Sequence, residues 1–150
     1  MVQLGKSGVV TVFSHRLARP ADIPAIAALM ARAIARLQLA FLSPAQIAAS
    51  AQSMGLDTQL IDDGTYFVIE EDGELESVLV GCGGWSRRAT LYGGNHSADL
   101  RDDRLLDSTS EPARIRAMYT DPTYVRRGIG RLSWHCAKTP RARRGSLGWN

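Results

Sequence analysis

Residues Tyr124 to Leu132, "YVRRGIGRL", set two glycines two positions apart among three arginines. Without a Cβ at Gly128 and Gly130, backbone N–H groups can turn toward one point. If a helix starts here, those donors sit at its positive end, which suits a pyrophosphate. Arg126, Arg127 and Arg131 add fixed positive charge. Taken alone, such a stretch can also be only a tight turn with an arginine-rich solvated face. Two other phosphate motifs do not fit. A dinucleotide fingerprint wants a third glycine where Ser133 stands, and "LGKSG" at residues 4–8 has no glycine five positions earlier for a Walker loop.

Other reactive side chains are scattered. His15, His96 and His135 form no metal set with Cys82 and Cys136. Cys82, in a glycine-rich run, reads as packing rather than a nucleophile. Glu70 and Glu71 read as solvent-facing beside a turn, with Glu70 a general base only if its strand borders a cleft. Trp85 is expected to be a buried aromatic or to line an acceptor pocket. His96 lies in a long loop, where it is an ordinary polar residue or touches substrate.

These residues need elements to hold them. Thr11 to Arg16 is predicted as a first strand, and "RPADIP" as a turn and helix start with Asp22 as N-cap. Ile23, Ile26, Met30, Ile34 and Leu37 then recur at helical spacing and are predicted core. Ser43-Pro44 opens a second helix, to about Ser53. Thr65–Glu70 and Ser77–Trp85 flank Glu71-Asp72-Gly73 as a hairpin. Gly81, Gly83 and Gly84 point to a bulge or a close backbone approach. The polar stretch from Ser86 to about Pro112 is long enough to be functional or mobile. Ala113 to Tyr119 is another strand, and a helix starts near Arg126. The predicted order is β-α-α-β-β-β-α.

At 150 residues, with 45% hydrophobic and 22% charged residues, the chain fits one globular domain. No membrane-length apolar run or signal peptide is found, and the two cysteines read as reduced thiols, so the expected location is cytoplasmic. All 15 acids lie at or before Asp121, which leaves the first 121 residues at net −4 and the last 29 at +7. Such a basic tail can serve nucleic acid or a membrane surface.

"IRAMYTDPTYVRRGIGRL" (Ile115 to Leu132) resembles the acetyl-CoA motif of the GCN5-related N-acetyltransferases. "RLARPADIPAIAALMARA" looks like that family's first strand and helix, and "TYFVIEEDGELESVLVGCGGWSRR" like its central hairpin. The resemblance runs from about His15 to Leu132. Val125 departs from it, since many members carry Gln or Arg there. The resemblance implies an α/β fold with a mixed, mainly antiparallel sheet flanked by helices. It implies acetyl-CoA as cosubstrate, no metal, and transfer of acetyl to a primary amine on a small molecule or peptide. The cofactor would lie along Met118, Tyr119 and Thr120, with its phosphates on the N–H groups of Arg126, Arg127, Gly128, Ile129, Gly130 and Arg131. A backbone N–H near Met118 or Tyr119 would polarise the thioester carbonyl. Tyr119 and Asp121 sit nearest that thioester, where a structural role at the strand end is equally open.

Beyond Leu132 the resemblance stops. "SWHCAKTPRARRGSLGWN" has an early Pro140, four Lys and Arg residues, no acids and no apolar periodicity. Read one base over, its codons permit "LALCEDAARAEGFxRLE", an amphipathic helix, a turn and a strand start. The expected organisation is an extension over 1–10, a partial acetyltransferase domain over 11–132 lacking the family's last strands and helix, and a frame-shifted tail over 133–150. On this reading no nucleic-acid or membrane partner is expected, since frame-shifted GC-rich DNA yields Arg and Pro by default. The strand Ala113–Tyr119 becomes an uncovered edge that invites a second copy. The alternatives are a non-enzymatic remnant and a basic interaction module.

Overall fold

The computed structural model describes residues 2–4, 10–50, 55–90, 95 and 102–138. β-branched and aromatic residues run through β2 (Val10–Leu17), which extends past the predicted strand at both ends. β1 (Val2–Leu4) pairs with it antiparallel, Val2 opposite Val12, so the expected extension contributes a strand. Gly5 and Gly8, a residue type that favours turns, between two short apolar runs were the available sequence signal for that pairing.

A short 3-10 turn, Pro20–Asp22, leads into α1 (Ile23–Gln38). Asp22 does not cap α1 with its side chain. Its carboxylate instead takes two hydrogen bonds from Arg16, at 2.7 and 2.9 Å, and one from the Arg19 N–H at 2.7 Å. The Arg16 guanidinium therefore holds the Asp22 carboxyl below the usual range, against the opposing effect of burial. α2 (Pro44–Ser50) begins with a reciprocal cap: the Ser43 hydroxyl accepts from the Gln46 N–H, and the Gln46 side chain accepts from the Ser43 N–H. A one-turn helix, α3 (Gln59–Asp62), precedes the central hairpin.

β3 (Tyr66–Glu71), β4 (Val78–Ser86) and β5 (Arg114–Thr120) complete a five-stranded sheet in the order β1-β2-β3-β4-β5, every described pairing antiparallel. Successive side chains of a strand point to opposite faces. Tyr66 and Val68 accordingly join Ile26, Leu29 and Met30 of α1 on one face. Ile69 joins Phe13, Val80 and Ile129 on the other, beneath α4 (Ile129–Lys138). The result is an α/β fold, an antiparallel sheet flanked by helices.

Two expectations change. Leu37 was expected in the core and is 50% exposed, while Leu29 and Ala33 fill the inner stripe instead. The helix thought to end at Leu132 runs to Lys138, burying Ser133, Cys136 and Ala137. Those residues continue the Ile129 face at i+4, i+7 and i+8, a stripe of small side chains that apolar periodicity overlooks. The stretch after Ser86 is pinned where it is described. Arg88 binds Asp63 at 2.7 Å, and Arg104 binds Glu111 at 2.8 Å. His96 and residues 139–150 lie outside the described residues. Among the described residues no helix is long and apolar enough to cross a membrane.

Candidate active site

β4 is flanked by two irregularities. On the β3 side, Ile69 faces Gly81 and Glu70 faces Leu79, so Val80 is an extra residue in β4. On the β5 side, Cys82 faces Tyr119 and Gly84 faces Arg116, so Ala117 and Met118 together face Gly83. This second irregularity is a β-bulge in β5. Ala117 takes it up in the left-handed region, at φ 51°. The glycines of β4 allow it: a Cβ on Gly83 would meet Met118 Cγ at 2.8 Å, and one on Gly81 would meet Ile129 Cγ2 at 2.5 Å. Close approach was expected from these glycines, but the chain that bulges toward Gly83 is β5. The fully buried Tyr66 hydroxyl donates to the Ala117 carbonyl at 2.8 Å and props the bulge from below.

β5 is the outer strand of the described sheet. At its end Asp121 turns the chain. Its carboxylate accepts from the N–H and hydroxyl of Thr123, at 2.9 and 2.7 Å, and from Arg32 of α1 at 2.8 Å. Its own N–H donates to the bulged Val80 at 2.9 Å. Burial pushes the Asp121 carboxyl up, but the bonds from Thr123 and Arg32 prevail and hold it below the usual range. A lowered folded-state value stabilises the fold above the ordinary aspartate range, and that stability is lost as pH falls through the lowered value. Asp121→Asn should therefore cost about 1.5–3 kcal/mol at neutral pH. Its difference from wild type should shrink on acidification, followed by urea unfolding across the acid limb. A difference that does not change with pH would remove the charge from this account.

After the 3-10 turn Pro122–Tyr124 the chain passes through Arg126 at φ 67° and Gly128 at φ 86° into α4. Bulge, turn and loop enclose a groove of about 430 Å³. It is lined by Met118, Tyr119 and Thr120 from β5, by Tyr124, Val125, Arg126 and Gly128 from the turn and loop, by Ile129 and Gly130 from the start of α4, and by Leu37 from α1. A Cβ on Gly130 would meet nothing within 4 Å. The wall is apolar on the α1 side and rich in backbone at the start of α4, a combination suited to a ligand with a chain at one end and an anion at the other.

Seven of the nine residues proposed for cofactor binding line this groove together. Arg127 and Arg131 are not among them. The Arg127 guanidinium turns away, onto the rings of Phe13 and Tyr124 and the carboxylate of Glu71. Leu37, Tyr124 and Val125 were missed, because a helical apolar stripe and the residues of a turn carry no local mark of a groove. Neither glutamate of β3 borders the groove or faces solvent alone: Glu70 is held by Arg16 at 2.8 Å, and Glu71 by Arg127 and Tyr124. Burial pushes the Cys82 thiol up to about 11, in keeping with packing. Trp85 is half-buried on β4 opposite Ile115. Burial also raises the Tyr119 phenol, so it keeps its proton at neutral pH.

No protein-family model and no curated protein matches the chain. Among solved structures it is similar to a GCN5-related N-acetyltransferase from Ralstonia eutropha JMP134, with a TM-score of 0.47 and 18% identity, over 91% of this chain and 80% of that one.

Proposed function

We propose that the groove binds acetyl-CoA and that the protein transfers its acetyl group to a primary amine. The carrying observation is the continuity of three features: the β5 bulge, the turn set by Asp121, and the Arg126–Gly130 loop opening α4 around one groove. In this reading the loop N–H groups hold the phosphates, and the outer edge of β5 lies beside the pantetheine. Backbone near Met118 and Tyr119 polarises the thioester carbonyl. The amine nitrogen bonds the carbonyl carbon as the carbon–sulfur bond breaks, and the sulfur takes a proton. Tyr119 is the proton donor of choice. It lines the groove with its phenol protonated, whereas the Tyr124 hydroxyl is committed to Glu71.

The described lining holds no carboxylate and no histidine. In this reading the acceptor arrives deprotonated or loses its proton to water. Thiol release from acetyl-CoA with a panel of primary amines tests the proposal. Turnover should rise with pH up to the acceptor's ammonium pKa, with no inflection in the carboxylate or histidine range. CoA binding without thiol release would favour a binding protein, the reading that a described lining without carboxylate or histidine supports. Absence of CoA binding would refute both. A frameshift at Ser133 would have to create by accident the Ser133, Cys136 and Ala137 face that α4 buries, and resequencing the gene decides that point.

A further inference from the structure

We infer that Arg127 is a positioning residue of the loop rather than a phosphate ligand, latching the back of the groove to β2 and β3. This rests on the groove being a CoA site. Arg127 lies between two lining residues, Arg126 and Gly128, yet it does not line the groove, and its guanidinium packs on the rings of Phe13 and Tyr124. The guanidinium carbon stands 5.2 Å from the Phe13 ring centroid and 4.8 Å from that of Tyr124. The two rings meet edge-on, with centroids 6.5 Å apart at 77°. Nη2 reaches Glu71 Oε1 at 3.2 Å and Thr11 Oγ1 at 3.4 Å, and the Tyr124 hydroxyl donates to the other oxygen of Glu71.

Each partner is itself fixed. Phe13 is in the core and paired in register with Glu71 across β2 and β3. Tyr124 closes the turn that begins the loop, and its N–H donates to the Asp121 carbonyl at 2.9 Å. One guanidinium thus ties the middle of the loop to two strands, and its charge is answered by Glu71 rather than aimed at the groove. A planar cation that stacks on rings and hydrogen-bonds at its edge suits this place, and lysine does not replace it. The left-handed Arg126 and Gly128 on either side need such a tether, since a loop in sparsely populated backbone regions persists only where its surroundings hold it.

The sign of one substitution separates the two roles. If Glu71 were restraining a phosphate ligand, Glu71→Gln would release Arg127 and tighten CoA. If Arg127 is the latch, Glu71→Gln and Arg127→Met should both weaken CoA, about tenfold each, and Arg127→Lys should not restore it. Hydrogen exchange without ligand gives an independent readout: amides of residues 125–130 should exchange about tenfold faster in both variants while the β3 and β4 amides stay protected. Tighter binding by Glu71→Gln, rescue by lysine, or unchanged loop exchange would each overturn the inference. If the wild type binds no CoA, the proposed function fails, and loop exchange still decides whether the latch exists. Glu71→Gln leaves Arg127 in place and carries the test should Arg127→Met fail to fold.

Discussion

Gly128→Val should abolish CoA binding, lowering affinity at least about 100-fold, or roughly 2.7 kcal/mol. The backbone of Gly128 stands at φ 86°, a region closed to a β-branched residue except at a cost of about 1–3 kcal/mol. To escape that strain the loop must rotate, and the N–H groups leading into α4 no longer converge. Gly130→Val is the informative companion. Gly130 has no left-handed backbone, and a Cβ there meets nothing within 4 Å. That variant should fold as the wild type does and weaken CoA only by occupying space on the groove side. Calorimetric titration with CoA reads both. Undiminished affinity in Gly128→Val would take the loop out of the proposed site.

The second large effect is on stability. A Cβ on Gly84 would stand 2.3 Å from the Thr65 carbonyl oxygen, 2.8 Å from Tyr66 Cδ2 and 2.9 Å from Tyr66 Cα. Two of these three atoms are backbone, so no side-chain rotation relieves the clash. The Thr65 carbonyl also accepts from the Trp85 N–H at 3.1 Å, so separating the strands breaks that bond too. Displacing Tyr66 removes its hydroxyl from the Ala117 carbonyl and leaves the bulge without its prop. Gly84→Val should therefore cost about 3 kcal/mol, the upper end for an overpacked core, seen as a lower urea midpoint. A loss below about 0.5 kcal/mol, the range of an ordinary surface change, would show that the hairpin is looser than this packing implies.

Features encoded within a few consecutive residues were legible in the sequence. The Gly128 and Gly130 loop, the Asp121-Pro122 turn and the start of the following helix depend on backbone preferences that need no distant partner. The hairpin around Asp72-Gly73 and the Ser43-Pro44 helix start belong to the same class. The glycines of β4 announced a close approach for the same reason, although not which chain would make it.

Tertiary structure decided where side chains spend their charge and which apolar groups are left outside. Arg126 and Arg127 are neighbours of one type. One lines the groove, and the other turns back onto Phe13, which is more than a hundred residues away. Glu70 and Glu71 face opposite sides of β3, where Arg16 and Arg127 each claim one. Leu37 continues a helical stripe yet is left half exposed and lines the groove instead. The Ala117 bulge has no local signature, because alanine favours neither bulges nor left-handed backbone. It exists because Gly83 leaves room above and Tyr66 supplies a donor below, and only folding brings those residues together.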